Sequence, residues 1–337
     1  MSLRESSEAV FSESPGKAAL RRLRRDKRSI VALTILLTIV LLSFAAPLYS
    51  KFVTHTDPFK SNLNGTISLG GKDVQLLQPS TTGLGLGVTP IGPTWNPTKY
   101  FLGSDSQGRD VAARLLYGGR STLLIGITSG LLCIFLSLII GIFAGYRRGW
   151  IDSILSRLLD IIWAFPVYLL AISLSVVLLT SGLSFGFIHF GPGSFALPIF
   201  IIGIVYIPYV ARPIRAQVLA LREREFVRAA IGTGAKHSTI VFREILPNVM
   251  PSVIVFIPII VSLSMLTESA LSFLSIGVQP PAASWGTIIN DGLALLYTRP
   301  FVGIAPGLMI VLTAAALNLY GDAVRDALDP KTRGRAE

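Results

Sequence analysis

An all-α polytopic membrane protein is the fold class this sequence predicts, with six transmembrane helices and a small β-containing extracytoplasmic loop. Three observations predict it. Of the 337 residues, 51% are hydrophobic and 15% charged, with a mean hydropathy of +0.62; soluble domains carry about 25% charged residues. Six apolar runs are each long enough to cross a hydrocarbon core of about 30 Å. Finally, 22 of the 30 Lys and Arg lie in the two tails and in every second connecting segment, the bias that keeps basic loops in the cytoplasm.

The net charge of +11 therefore has a topological cause. No basic patch interleaved with aromatics marks a nucleic-acid surface, and membrane lipid is the bulk partner expected. The one cysteine, Cys133, sits in an apolar run, which excludes a disulfide framework and a Cys metal site. His55, His189 and His237 are scattered and form no HExxH, so no metal is expected.

Residues 1–28 read as a cytoplasmic tail. The first 20 are polar and rich in small residues, the composition of a disordered segment. RRLRRDKR at 21–28 then precedes the first apolar run, 29–49, which would cover about 31 Å as a helix. It is longer than a signal-peptide core and is expected to stay as an anchor. Residues 50–120 form the outer loop. Asn64-Gly65 and Gly70-Gly71 bracket alternating runs at 66–69 and 73–77, predicting a β-hairpin. The GLGLG at 83–87 lacks dinucleotide-binding spacing and reads as a flexible loop.

Residues 121–320 hold a five-helix core, with apolar runs near 121–146, 153–180, 196–219, 248–276 and 301–320. The pairs Gly126/Gly130 and Gly141/Gly145 allow close helix approach. Pro166, Pro208, Pro258 and Pro306 lie within runs and predict kinked helices packed in a bundle. Residues 321–337 form a second cytoplasmic tail. Two acids fall in or near the spans, where a charge costs about 2.5–3.5 kcal/mol on insertion scales. Asp160 has Arg157 three residues away, so a structural ion pair is expected. Glu268 has no local cation, and an inter-helix contact is expected; both are candidates for the translocation path. Gln279, Pro280 and Trp285 mark a rigid outer loop, either an interfacial anchor or a contact for a delivering protein.

Between the fourth and fifth runs lies a basic, polar elbow, 221–248. Val227, Ala230, Ile231 and Gly234 fall at i, i+3, i+4 and i+7, the stripe of an amphipathic helix. Gly234 suits a helix end at positive φ. Ser238 is expected to cap a second helix, with Phe242, Ile245, Leu246 and Val249 on its apolar side. No catalytic set is visible. Neither Gly16-Lys17, Gly71-Lys72 nor the Gly232–Lys236 stretch has phosphate-loop spacing. A polytopic membrane enzyme would need a Ser–His dyad or two Asp at membrane depth, and no histidine sits deep in a run. A self-contained carrier would have no use for the elbow.

Arg228-Ala229-Ala230-x-x-x-Gly234, followed by Leu246-Pro247, resembles the Glu-Ala-Ala-x-x-x-Gly loop of ABC-importer permeases, with Arg228 in place of glutamate. LGSDSQGRDVAARLLYGG at 102–119, DIIWAFP at 160–166, ESALSFLSIGVQPPAASWG at 268–286 and ALDP at 327–330 are similar to blocks of the dipeptide/oligopeptide/nickel branch. The resemblance implies the type I importer permease fold and makes the chain a transport subunit instead of an enzyme. It implies that the elbow docks in a cleft of an ATPase, through Arg228, Ala229, Ala230, Gly234, Leu246 and Pro247. The partners implied are a second homologous permease, two cytoplasmic ATPases carrying ATP and Mg, and an extracytoplasmic binding protein, all at a prokaryotic plasma membrane. The solute implied is a short peptide, with nickel or glutathione as the alternative.

Overall fold

The computed structural model describes residues 15–80, 87–186 and 188–328. The expected flexible loop at 83–86, the first 14 residues and Asp329-Pro330 lie outside these. Helix α1, Pro15–Arg25, replaces the disorder expected up to residue 20. Pro15 starts it, and Ala19 is buried while Leu20 stays exposed. An amphipathic pattern thus wins over a polar average. Asp26 ends α1 and caps α2, Lys27–Phe44, by accepting from the backbone N–H groups of Arg28 (3.1 Å) and Ser29 (3.2 Å). Helical turns continue from Ala46 through Thr54.

The expected hairpin forms as β1, Thr66–Leu69, paired antiparallel with β2, Lys72–Gln75, Ile67 opposite Val74. A second antiparallel pair follows, β3, Leu77–Pro79, with β4, Val88–Pro90. Leu76, Ile91 and Tyr100 form a small core beneath both. This segment is tied down: the Arg299 Nε donates to the Pro90 carbonyl at 2.6 Å, and the Tyr49 hydroxyl to that of Pro97 at 2.8 Å.

The bundle is built around α3, Val111–Arg147, whose 37 residues reach about 55 Å. Asp110 caps it through the N–H groups of Ala112 (2.9 Å) and Ala113 (3.1 Å). Two of the remaining spans are broken. Helices α4, Gly149–Trp163, and α5, Val167–Ser181, meet at 88°, with Pro166 in the break. Helices α6, Ala196–Val205, and α7, Ile207–Arg222, meet at 43°, with Pro208 opening the second. A short pair, β5, Leu183–Phe185, with β6, Ile188–Phe190, joins α5 to α6. Then come α8, Glu225–Gly232; α9, His237–Phe273; α10, Trp285–Leu293; and α11, Phe301–Leu328. Among the described residues, four unbroken helices are long and apolar enough to cross, and counting each bent pair once makes six crossings.

The glycine pairs set the packing. A Cβ on Gly130 would lie 3.1 Å from Val261 Cα of α9, and one on Gly145 would lie 2.8 Å from the Arg215 carbonyl of α7. Hydrogen in place of a methyl lets α3 touch both neighbours backbone to backbone. Ile202, Val210, Ile214 and Ile260 fill the core between them.

Candidate functional site

The elbow occupies the turn between α7 and α9. Helix α8 buries Val227 completely and rests Ala230 on the same core, while Phe226, Ala229 and Ile231 face outward. Ile231 was expected on the buried stripe, yet it is 48% exposed. Eight residues make barely two turns, so only one line of contact, Val227 to Ala230, meets the bundle. Gly234 adopts φ +75° with open space around its Cα. Lys236, with extended backbone, stands where α9 begins, so Ser238 lies in the first turn and is not the cap.

From Ile240 to Ile245 the start of α9 is a wide π turn. A proline ring clashes with the carbonyl four residues back, and for Pro247 that carbonyl is Arg243 within this turn, whose wider winding relieves the clash. The extra residue per turn also rotates the apolar stripe. Ile245 and Val249 are buried and Leu246 is half-buried, but Phe242 points outward, against the expectation.

Ion pairs brace the elbow, joining Arg228 to Glu223 and Arg148, two residues that no sequence pattern marked. Arg228 Nη2 donates to Glu223 Oε2 at 2.7 Å, and Glu223 Oε1 accepts from Arg148 at the end of α3. Arg228 and then Arg148 hold the Glu223 carboxyl below the usual carboxylate range. The Tyr146 hydroxyl shares a 2.8 Å hydrogen bond with His237 Nδ1, and Arg222 Nη1 donates to the Tyr146 carbonyl at 2.8 Å.

Within the bundle, Asp160 is met by Arg212 of α7, whose Nη2 lies 2.7 Å from Oδ1, and not by Arg157 as expected. The α4–α7 seam brings the two together, a contact no local spacing encodes. Below it, Arg215 donates twice to Asp152, at 2.6 and 2.7 Å. Glu268 is fully buried and accepts from Ser272 Oγ at 2.7 Å and Ser269 Oγ at 3.3 Å. The hydroxyls of Thr122 and Ser284 complete its surroundings.

At the far end, Trp285 is fully buried. Its indole N–H donates to the Leu115 carbonyl at 3.0 Å and its backbone N–H to Thr122 Oγ1 at 3.1 Å. It is a core residue and presents no surface to a delivering protein, because α10 folds back over the start of α3. Gln279 is half-buried, with its amide turned onto the Ser275 and Gly277 carbonyls, and Pro280 is exposed. Beside them lies a buried network: Arg109 joins Asp105 (2.7 Å) to Asp291 (3.0 Å), and Arg114 joins the same two acids. The block at 102–119 holds three of its four members, Asp105, Arg109 and Arg114, and Asp291 is the one that sequence could not supply.

A helical bundle with broken spans, a docked β segment and a protruding apolar elbow defines a polytopic transport subunit. The chain belongs to the ABC-importer permeases described as the binding-protein-dependent transport system inner membrane component, whose model matches residues 137–334. Residues 14–69 match the N-terminal transmembrane domain of oligopeptide transport permease C. A dipeptide transport system permease protein from Alkalihalophilus pseudofirmus is 32% identical over 95% of this chain and 91% of its own length. A glutathione transport system permease protein from Pectobacterium atrosepticum is 39% identical over 69% of this chain and 73% of its own. An inward-facing structure of the MetNI methionine ABC transporter shares the fold, with a TM-score of 0.50 and 18% identity, covering 64% of this chain and 96% of that one.

Proposed function

We propose that this chain is the permease subunit of an ATP-driven importer of short peptides, placed in a prokaryotic plasma membrane with both termini cytoplasmic. It works with a second, homologous permease, two cytoplasmic ATPases that carry ATP and Mg, and an extracytoplasmic binding protein. The observation that carries the reading is the elbow. Helix α8 offers Phe226, Ala229 and Ile231 to solvent while Val227 fixes its other side. A short, rigid helix with an uncovered apolar face is what a groove on a partner accepts. The charge bias of the connecting segments places that face in the cytoplasm, where an ATPase meets it.

Support for a peptide solute comes from the relatives named for dipeptide and glutathione transport. Both solutes are amide-linked and carry a free ammonium and free carboxylates. Closure of the ATPases on ATP then moves α8, and with it α7 and α9, which leave the elbow on either side. The test is to purify this chain by a tag, identify the ATPases that come with it, and measure dipeptide uptake by reconstituted vesicles. Uptake that needs ATP and the binding protein is expected. A chain that purifies without an ATPase and conducts dipeptide unaided would overturn the reading.

A further inference from the structure

The two helix breaks converge on one cluster. Asp160 and Trp163 stand just before the α4–α5 break, and Tyr209 and Arg212 just after the α6–α7 break. Arg212 pairs with Asp160 at 2.7 Å and lies over the Trp163 ring at 5.2 Å. Trp163 stacks on Tyr209 at 6.5 Å, and Tyr209 meets Phe256 of α9 edge-on at 6.4 Å. The cluster is open: the Asp160 side chain is 60% exposed and that of Arg212 40%. In the proposed orientation the pair lies about 9 Å inside the cytoplasmic end of α3, because Ala211 of α7 meets α3 at Gly141, before Arg147. A charged pair inside a span faces a partner or a water-filled path in preference to lipid.

Resting on the peptide-importer reading, we infer that this cluster is where the path reads the two ends of a short peptide, the ammonium at Asp160 and the carboxylate at Arg212. At rest the two side chains neutralise each other. An arriving zwitterion exchanges partners with them, so every charge stays paired and the total does not change. The guanidinium fork fits a carboxylate through two parallel hydrogen bonds. A half-open ion pair holds its partners loosely, so the exchange and the later release are both easy. Trp163 and Tyr209 give a flat apolar wall beside the charges, which contacts peptide side chains without selecting one size. Peptides that differ in sequence but share free ends would then pass.

The assembled transporter, purified without its binding protein, is tested for binding of labelled dialanine, N-acetyl-dialanine and dialanine amide. Blocking either end is expected to weaken binding about tenfold, 1.4 kcal/mol. Asp160→Asn should remove the penalty for acetylation and keep that for amidation; Arg212→Gln should do the reverse. In both, the loss from the variant and the loss from the matching block should merge instead of adding, as for groups in direct contact. Arg212→Lys, which keeps the charge, should keep the preference for the free carboxylate. Equal binding of all three peptides by the wild-type complex, or losses that add, would overturn the inference, and the wild-type comparison stands even if a variant does not assemble. If the complete transporter takes up dialanine yet shows no preference for free ends, only this inference fails. If it takes up no dialanine at all, the peptide reading fails and this inference falls with it.

Discussion

Glu223 and Arg228 are ion-paired at 2.7 Å across the first turn of the elbow, and the same carboxylate holds Arg148 from the end of α3. The pair is open to solvent, and such pairs contribute little to stability. Arg228→Glu is therefore expected to change thermal stability little, even though it sets a second carboxylate beside Glu223. Glu223→Gln, which releases both arginines, should loosen how the elbow sits on the bundle. The check is uptake against ATP hydrolysis in vesicles: Glu223→Gln should lower the ratio more than Arg228→Glu does. The opposite order would place Arg228 in the partner's groove.

Ala229 and Ala230 are expected to part company. Ala229 is exposed, so Ala229→Trp should block ATPase association with little change in the stability of the chain. Ala230 rests on the core, so Ala230→Trp overpacks it, at about 1–3 kcal/mol. Gly234→Val meets no atom but forces a branched residue to φ +75°, and should destabilise by about 1–2 kcal/mol through backbone strain alone. Co-purification of the ATPase, alongside thermal stability of the purified chain, separates the three.

Asp110 caps α3 at the β-bearing end and is buried, which raises its carboxyl from 3.8 to about 6. The folded value is the higher one, so the folded state holds its proton more tightly than the unfolded chain. Stability from this group is complete below pH 4 and is lost as pH rises through 6, by about 3 kcal/mol in all. Asp110→Asn keeps a capping oxygen and removes the titration. The apparent unfolding temperature of the wild type should fall relative to the variant between pH 5 and pH 7. A constant difference across that window would show that Asp110 does not titrate there.

Trp285→Ala is expected to cost about 3–5 kcal/mol, the range for emptying a large aromatic site, and to lower the yield of folded chain. Trp285→Phe, which loses the bond to the Leu115 carbonyl and part of the ring volume but keeps an aromatic in the site, should cost less than Trp285→Ala. Pro280→Ala should leave folding unchanged, because Pro280 is exposed. Thermal stability of the three variants in detergent checks the order.

Much of the fold was legible because a bilayer leaves few choices. Six apolar runs, the proline positions and Gly126, Gly130, Gly141 and Gly145 were readable from spacing, and the α3 contacts with α7 and α9 follow from those glycines. The β1–β2 hairpin was readable from its glycine turn. Three things were not readable. Partners distant in sequence, such as Arg212 for Asp160 and Asp291 for Arg109, depend on how helices cross. The phase shift that exposes Phe242 depends on a π turn that no residue pattern announces. Burial of Trp285 depends on α10 folding over α3, where the sequence shows only an aromatic beside prolines. At the elbow, the small residues and Gly234 were readable, but the brace from Glu223 and the Tyr146–His237 bond were not.

Helix α3 carries one further consequence through its length alone. It runs about 25 Å beyond what a bilayer core requires. One end is gripped by Arg109 and Arg114 near Asp291, and the other abuts the elbow through Tyr146 and His237. An unbroken rod contacted at both ends ties the two faces together mechanically. A tilt of about 5° around its midpoint carries the two tips about 2.4 Å in opposite directions. In the proposed importer, a push on the elbow would then move the β-bearing end of α3 the opposite way.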